Sequence, residues 1–285
     1  MANISAGDVK ALREKTGAGM MECKNALVET GGDFAKAEKL LKEKGLAAIE
    51  KRSGRATNAG KIFIKMNETA AALAEMVSET DFVAKNPDFI SLGGEIASKV
   101  LANGYNEPND ELNNMVTDLA VKIREKMNLK RVKTIKAAPG EYMTSYIHGD
   151  GAIGVVVKCT ADKADAFANE EIKAFAFTLA LHVAAFNPKA LDQSKIDPDW
   201  LKEQEGIFAK QMEKDESLAG KPENVLANIL KGKVSKFLKD ICLMDQPYVK
   251  DDKMTVAQAL ADAAKRLGVK LTVTDYIYFR VGEIL

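Results

Sequence analysis

The sequence predicts an α+β protein built from a small N-terminal three-helix module, a core of two related α+β subdomains with antiparallel sheets, and an inserted antiparallel helical hairpin. Three observations lead to this prediction. Apolar residues recur every three or four positions in the first ~50 residues, which is helical spacing. Short runs with strand-like patterning occur in pairs, and each pair is followed by a helical pattern. Two apolar seams near the C-terminal third can face each other. The predicted domains are residues 1–54, 55–140 and 141–285, with the hairpin at about 197–243.

The N-terminal module is expected to contain three short helices. Ser5 and Asp8 form a capping-box-like start, and Gly31-Gly32 separates the second helix from a third that Asp33 can cap. We expect the third helix to end at Gly45. Each helix has one apolar face, and these faces are expected to form the module's core: Val9, Leu12, Met20, Cys23, Leu27, Phe34, Ala37, Leu40 and Leu41. Residues 53–60 are small and polar, which is typical of a linker.

The core shows the same order of elements twice. Strands are predicted at residues 61–66 and 71–77, followed by a helix that begins at Asn86-Pro87. In the second half, strands at 142–148 and 153–157 flank a glycine-rich turn and precede a helix through His182. This repetition indicates a weak internal duplication. The basic run Lys130-Arg131-Val132-Lys133 is interpreted as a solvated connector, because so few cations make a weak nucleic-acid footprint.

The hairpin is predicted from two helical patterns joined by Gly220-Lys221-Pro222. Asp197-Pro198 is an N-cap and N1 pair that begins the first helix. The two facing seams are formed by Leu201, Phe208 and Met212, and by Leu226, Leu230, Val234, Phe237 and Ile241. Because a hairpin of this kind makes few contacts with a protein core, we expect it to bind a partner rather than to stabilise the fold.

Composition excludes several classes of function. The 41 basic and 41 acidic residues give zero net charge, which argues against a primary nucleic-acid binder. No stretch approaches the ~20 apolar residues of a bilayer helix, and the first residues do not resemble a signal peptide, so a cytoplasmic protein with no membrane partner is expected. Three widely spaced cysteines suit reduced thiols.

A glycine motif at residues 149–154 formally matches a dinucleotide fingerprint. The fingerprint requires a helix after the third glycine, whereas Val155-Val156-Val157 continues as a strand. A hairpin turn explains the glycines better. No cofactor and no metal site are expected.

The two histidines provide few candidates for catalysis. His182 lies on an apolar helix face and is interpreted as a hydrogen-bonded core residue. His148 lies at the hairpin turn, where contact with a partner and simple exposure are equally good interpretations. An enzyme that pairs Cys159 with His148, or Cys23 with either histidine, is disfavoured because no orienting motif accompanies these residues.

Thr80-Asp81-Phe82-Val83 lies between a predicted strand and a predicted helix. The residue types alone favour a capped turn with Phe82 packed inward. A rigid aromatic ring beside a charge is also typical of an interface hot spot. Met20-Met21 offers a similar choice, and we expect one methionine to fill the module's core and the other to face outward.

Several blocks of residues resemble the bacterial elongation factor Ts family. Leu12-Arg13-Glu14-Lys15-Thr16-Gly17-Ala18-Gly19-Met20-Met21-Glu22-Cys23-Lys24 is similar to its first signature, and Glu79-Thr80-Asp81-Phe82-Val83-Ala84-Lys85-Asn86 to its second. Further blocks follow in the same order: Tyr146-Ile147-His148-Gly149, His182-Val183-Ala184-Ala185 and Gln246-Pro247-Tyr248-Val249. The resemblance covers nearly the whole chain and implies that the N-terminal module is like a ubiquitin-associated domain.

The resemblance implies a guanine-nucleotide exchange factor for the GTPase elongation factor Tu, with no covalent catalysis and no direct nucleotide binding. It implies that Asp81 and Phe82 enter the GTPase and disturb its Mg²⁺ site, while Thr80 and Val83 hold their turn in shape. The other implied partner contacts are Leu12, Met20, Met21, His148 and Gly149.

Three departures from the family pattern are visible: Ser78, Ala71 and Asp150. Asp150 places a charge directly after His148-Gly149. A non-exchanging adaptor that recruits proteins through the N-terminal module and the hairpin is the alternative from a different class.

Overall fold

The computed structural model describes residues 4–284. Contacts between Cα atoms divide the chain into two units. The first unit contains the chain up to residue 136, residues 147–154 and the chain from residue 279 onward, and the second contains residues 137–146 and 155–278. The predicted domain boundaries at residues 54 and 140 stay predictions.

Three N-terminal helices form the module at the start of the first unit. They are α1 (Ala6–Thr16), α2 (Met20–Glu29) and α3 (Phe34–Glu50). The predicted capping box is present: the Ser5 hydroxyl accepts the Asp8 N–H at 3.1 Å, and the Asp8 carboxylate accepts the Ser5 N–H at 3.0 Å. The core of the module is formed by Val9, Leu12, Ala18, Cys23, Ala26, Leu27, Ala37 and Leu41.

The expected end of α3 at Gly45 is wrong, because the helix continues to Glu50. Gly45 lies where α3 crosses Val121, and a Cβ at this position would come within 2.5 Å of Val121 Cγ1. The glycine therefore permits a close approach between two helices rather than ending one. Lys42 and Asp118 form an ion pair across the same crossing at 2.7 Å.

A three-stranded antiparallel sheet forms the centre of the first unit. Its strands are β1 (Ala59–Met66), β2 (Ala70–Ser78) and β3, in the order β1-β2-β3. Every residue of the central strand β2 is buried. Two helices cover the sheet, α5 (Pro87–Asn103) and α6 (Asp110–Ile123), and the short helix α4 (Asp81–Ala84) precedes α5. The predicted strand pair and the helix start at Asn86-Pro87 are confirmed.

The interpretation of Lys130–Lys133 as a solvated connector is wrong. These residues belong to β3 (Met127–Lys136), which pairs with β2 across a register shift at Glu75/Met76. The fully buried carboxylate of Glu75 accepts a hydrogen bond from Arg131 Nε at 2.6 Å, so the charge of the arginine is neutralised inside the sheet. The Arg131 guanidinium also lies 4.1 Å from the Phe279 ring and 3.1 Å from the Glu283 carboxylate, and Glu75 accepts the Gly282 N–H at 3.0 Å.

The second sheet contains β4 (Glu141–His148), β5 (Ile153–Ala161) and β8 (Leu271–Arg280) in the order β4-β5-β8. A four-residue turn joins β4 to β5, which requires antiparallel neighbours. The second unit also contains α7 (Glu170–Phe186), α10 (Val256–Leu267) and a small antiparallel pair, β6 (Pro247–Tyr248) and β7 (Asp251–Thr255).

The predicted hairpin consists of α8 (Pro198–Glu213) and α9 (Glu223–Ile241). At 1.5 Å per residue these helices are about 24 and 28 Å long. Aromatic side chains fill their seam: the Phe237 ring lies 5.9 Å from Trp200 and 5.3 Å from Phe208. Met212, Val234 and Leu238 are the buried residues of the pair. None of the helices between residues 4 and 284 has the length and apolarity needed to cross a bilayer.

Candidate functional site

The candidate site centres on the four-residue helix α4. We call residues 79–84, which are Glu79, Thr80 and α4, the Phe82 turn. Thr80 is the N-cap, and its hydroxyl oxygen accepts the Val83 N–H at 3.3 Å. The next helix is capped immediately afterwards, because the Asn86 side chain accepts the Asp88 N–H at 2.8 Å. Two caps in seven residues fix the backbone on both sides of Phe82.

The Phe82 side chain points into solvent and is 81% exposed. The interpretation that Phe82 packs inward is therefore wrong. The next two residues fill the inward positions instead, since Val83 and Ala84 are buried in the core that also contains Phe89 and Ile96. A fixed, exposed phenylalanine leaves a large apolar surface in water, which is the property of an anchor for a protein partner.

Asp81 lies beside the exposed ring and carries a charge at neutral pH. Its carboxylate accepts a hydrogen bond from Lys85 Nζ at 2.8 Å, one helical turn later. This bond lowers the pKa of Asp81 below its ordinary value. Both side chains are exposed, so the pair contributes little to the stability of the fold.

Hydrogen bonds from distant parts of the chain hold the Phe82 turn in place. Glu79 accepts the backbone N–H of Lys126 at 2.7 Å and a hydrogen bond from Arg55 at 3.0 Å. The Lys126 bond is the main reason that the pKa of Glu79 is lowered. The Thr80 hydroxyl donates to both carboxylate oxygens of Glu125, at 3.1 and 3.0 Å. The Ser78 hydroxyl donates to the Thr80 carbonyl at 2.9 Å.

The turn between β4 and β5 forms a second part of the site. His148, Gly149 and Asp150 are exposed there, and the backbone has positive φ at three successive residues, Gly149, Asp150 and Gly151. This conformation explains the glycines, and it confirms the hairpin turn over the dinucleotide motif. The Ile62 N–H of β1 donates to the Gly151 carbonyl at 2.8 Å and holds the turn against the first sheet.

Lys61 fixes this turn through Asp150. Its side chain is almost completely buried, and Nζ lies 2.6 Å from both the carbonyl and the carboxylate of Asp150. The hydrogen bond with Lys61 lowers the pKa of Asp150. The hydrogen bond with Asp81 is the main cause of the raised pKa of Lys85, and the charge of Asp150 contributes to it as well. Lys61 cannot be recognised from the sequence, because its partner Asp150 is 89 residues away and no local pattern identifies the pair.

The N-terminal module contributes two exposed methionines. Met20 is 46% exposed and Met21 is 65% exposed, so the expectation that one of them fills the core is wrong. Cys23 and Leu27, one and two turns further along α2, occupy the core positions. Leu12 is completely buried in the core of the module. We call the exposed side chains of Met20 and Met21 the methionine surface.

The other candidate residues are unsuited to nucleophilic chemistry. His182 is buried, as expected, with Nε2 3.0 Å from Gln246 Oε1 and with Nδ1 accepting the Val249 N–H at 3.2 Å. Burial raises the pKa of Cys159 to about 12 and is the main cause of the value of about 11 at Cys242. Between residues 4 and 284, no three His, Cys, Asp or Glu side chains gather in a way that could hold a metal ion.

Comparisons with known proteins show which family this chain resembles. The family described as Elongation factor TS matches residues 79–283. Elongation factor Ts of Treponema denticola is 45% identical over 280 residues, which covers 98% of this chain and 99% of that protein. Elongation factor Ts of Borrelia hermsii is 38% identical and that of Nitratidesulfovibrio vulgaris 37%, each aligned to 98% of this chain and to 100% and 96% of their own lengths.

These matches extend over both units and over the Phe82 turn. The chain is therefore a translation elongation factor of mixed α+β fold. It belongs to the elongation factor Ts family.

Proposed function

We propose that this chain is a guanine-nucleotide exchange factor for elongation factor Tu, the GTPase that delivers aminoacyl-tRNA. The observation that carries the proposal is the Phe82 ring, which is 81% exposed. It lies on a turn that is held rigid by helix caps and by long-range hydrogen bonds. Burying one phenylalanine side chain contributes about 1.5–3 kcal/mol to association. Because the turn is already ordered, little of this energy is lost in fixing the ring.

The proposed mechanism is differential binding. GDP is held in a GTPase by backbone amides around its phosphates and by a Mg²⁺ ion that bridges phosphate and protein oxygens. In the proposed complex Phe82 inserts as a wedge and Asp81 accompanies it, and together they disturb the Mg²⁺ site. By linkage, a factor that binds the nucleotide-free state more tightly weakens the binding of GDP to the same extent. GTP in turn weakens the binding of the factor.

Further contacts in the proposed complex come from both sides of the Phe82 turn. Met20 and Met21 offer adaptable apolar side chains to a helix of the GTPase. His148 and Gly149 offer an exposed, tightly held hairpin turn. Leu12, Thr80 and Val83 have supporting roles, since Leu12 and Val83 are buried and Thr80 is the cap of α4.

The proposed role needs no covalent chemistry, because no bond of the nucleotide is made or broken. The factor itself binds no nucleotide, cofactor, metal ion or nucleic acid in this proposal, and it acts in the cytoplasm, where its GTPase partner works. Its effect on nucleotide release comes entirely from the free energy of protein–protein contacts.

The test is the release of fluorescent GDP from elongation factor Tu, with and without this protein. We expect the wild-type chain to accelerate release and Phe82→Ala to lose most of the acceleration while its thermal unfolding is unchanged. Phe177→Ala is the matched control, because Phe177 is also an exposed phenylalanine but belongs to α7 of the second unit. Its acceleration should equal that of the wild type.

Two outcomes would contradict the proposal. Unchanged acceleration by a folded Phe82→Ala variant would remove the wedge role. Binding of the wild-type chain to elongation factor Tu without any acceleration would favour a non-exchanging adaptor instead.

A further inference from the structure

The turn between α6 and β3, residues 124–126, supplies long-range hydrogen bonds that hold the Phe82 turn. Glu125 accepts the Thr80 hydroxyl through both carboxylate oxygens, at 3.1 and 3.0 Å. Lys126 donates its backbone N–H to Glu79 at 2.7 Å. Two successive residues of one turn are therefore bonded to two successive residues of the other.

The same turn is held by the N-terminal module on its other side. The Arg124 guanidinium forms an ion pair with Glu22 of α2. The Arg124 carbonyl accepts a hydrogen bond from Arg52, just beyond the end of α3. Arg124 itself has a φ of 68° as the C-cap of α6, so its backbone is fixed in the left-handed region.

We propose that Glu125 is a positioning residue for Phe82, and that residues 124–126 link the Phe82 turn to the methionine surface of the N-terminal module. This inference deepens the proposed function and rests on it. Glu22 is the neighbour of Met21 along α2, and Thr80 is two residues from Phe82. The chain of contacts from Glu22 through Arg124 and Glu125 to Thr80 therefore joins two separate candidate contacts.

The chemistry of Thr80 explains why Glu125 matters. A hydroxyl has one proton, and donation of that proton to a carboxylate gives a strong, oriented hydrogen bond. The hydroxyl oxygen is then left to accept the Val83 N–H, which begins α4. Without Glu125 the Thr80 hydroxyl can rotate away from Val83, and the helix that carries Phe82 loses its cap.

The link also has a thermodynamic role. Two contacts that meet one partner at a fixed spacing lose less freedom on binding than two contacts that move independently. Residues 124–126 therefore pre-organise the Phe82 turn and the methionine surface for a single partner.

Hydrogen exchange of the intact, free chain tests the positioning role without reference to nucleotide exchange. We expect Glu125→Ala to increase amide exchange at residues 83–85 about fivefold, the factor that corresponds to loss of a typical cap. Glu125→Gln keeps one acceptor oxygen for Thr80 and should restore most of the protection. Glu111→Ala is the matched control, because Glu111 accepts a hydrogen bond from Lys99 at 2.6 Å on the exposed face of α6. Unchanged exchange in Glu125→Ala would overturn the proposal.

GDP release then shows whether Glu125 acts through Phe82. Glu125→Ala should lower the maximal stimulated rate about fivefold in the wild-type background and should have no further effect in a Phe82→Ala background. An equal loss in both backgrounds would show that Glu125 acts by another route. If the wild-type chain accelerates nothing, the proposed function fails, whereas the amide exchange still reports on the positioning role.

A third variant tests the link to the module. Glu22→Gln removes the charge that holds Arg124 but preserves the oxygen that accepts the Gly19 N–H at the start of α2. We expect amide exchange at residues 83–85 to increase about twofold, less than in Glu125→Ala. Protection that is identical to that of the wild type would remove the link while leaving the role of Glu125 intact.

Discussion

The ring of Phe63 lies against the backbone of Gly93 so closely that a Cβ at Gly93 would come within 2.1 Å of Phe63 Cε2. This contact joins β1 to α5, and the same ring lies 6.1 Å from that of Phe89. The adjacent Gly94 has no neighbouring atom within 4 Å of the position that a Cβ would take. Two consecutive glycines of one helix therefore have opposite surroundings.

We expect alanine to have opposite effects at these two glycines. Gly93→Ala should lower the free energy of unfolding by about 1–3 kcal/mol, because the added methyl group forces β1 and α5 apart. Gly94→Ala should raise it by up to ~1 kcal/mol, because alanine favours the helix and meets open space. Urea unfolding followed by circular dichroism measures both. Changes of the same sign would contradict the close contact with Phe63.

Substitutions at Leu12 and at Met21 should distinguish the stability of the N-terminal module from its binding to elongation factor Tu. Leu12→Ala leaves a cavity in the module and should cost about 2–5 kcal/mol. Met21→Ala removes an exposed side chain and should change stability by less than about 0.5 kcal/mol. Amide exchange within residues 6–50 reports on the module, and titration with elongation factor Tu reports on binding. Weakened binding by Met21→Ala with unchanged amide exchange is the expected result, and an unstable Met21→Ala module would contradict the exposure of Met21.

The ion pair of Lys61 and Asp150 should control the order of the hairpin turn. Lys61→Met retains the buried aliphatic stem but removes both hydrogen bonds to Asp150. We expect amide exchange at residues 149–152 to increase severalfold, with that of the Phe82 turn less affected. Lys65→Met, on the exposed part of β1, is the control. Equal exchange of this turn in all three proteins would show that the backbone alone fixes it.

The burial of His182 should make the free energy of unfolding depend on pH. Burial lowers the pKa of His182 below its value in the unfolded chain, and the Gln246 hydrogen bond opposes this only in part. The unfolded chain therefore binds more protons once the pH falls below about 6.5, and stability should decrease from there until the folded histidine also titrates. Protonation at Nδ1 would also break the bond from the Val249 N–H.

The measurement is urea unfolding at several pH values between about 5 and 7.5. His182→Gln should flatten the dependence in this window whatever its absolute stability. A wild-type protein whose unfolding is independent of pH across this range would contradict the buried neutral histidine.

The parts of the fold that were predicted correctly depend on neighbouring residues. Ser5 and Asp8 form their capping box within one turn, and Asn86-Pro87 begins α5 with a local cap. The hairpin seam follows from helical spacing alone. Such signals are complete within a few residues, so the sequence displays them directly.

Three of the errors involve contacts between distant residues. Arg131 belongs to a strand because Glu75, 56 residues earlier, neutralises it, and Gly45 lies inside a helix because Val121 approaches it. The outward direction of Phe82 depends on Glu125 and Lys126, which bond to the two residues before Asp81. The residue types alone favour an inward-facing Phe82 and leave an interface hot spot as the alternative, and the family resemblance implies the alternative.

The contacts around Arg131 impose an order on how the protein is made. Strands β1–β3 leave the ribosome early, whereas Gly282 and Glu283, which bond to Glu75 and Arg131, are synthesised about 140 residues later. At about 5–20 residues per second this interval is roughly 7–30 s. During that time Glu75 and Arg131 lack their contacts with Phe279, Gly282 and Glu283. The first unit therefore begins to form at the start of translation but acquires its complete set of contacts only after residues 279–283 have emerged.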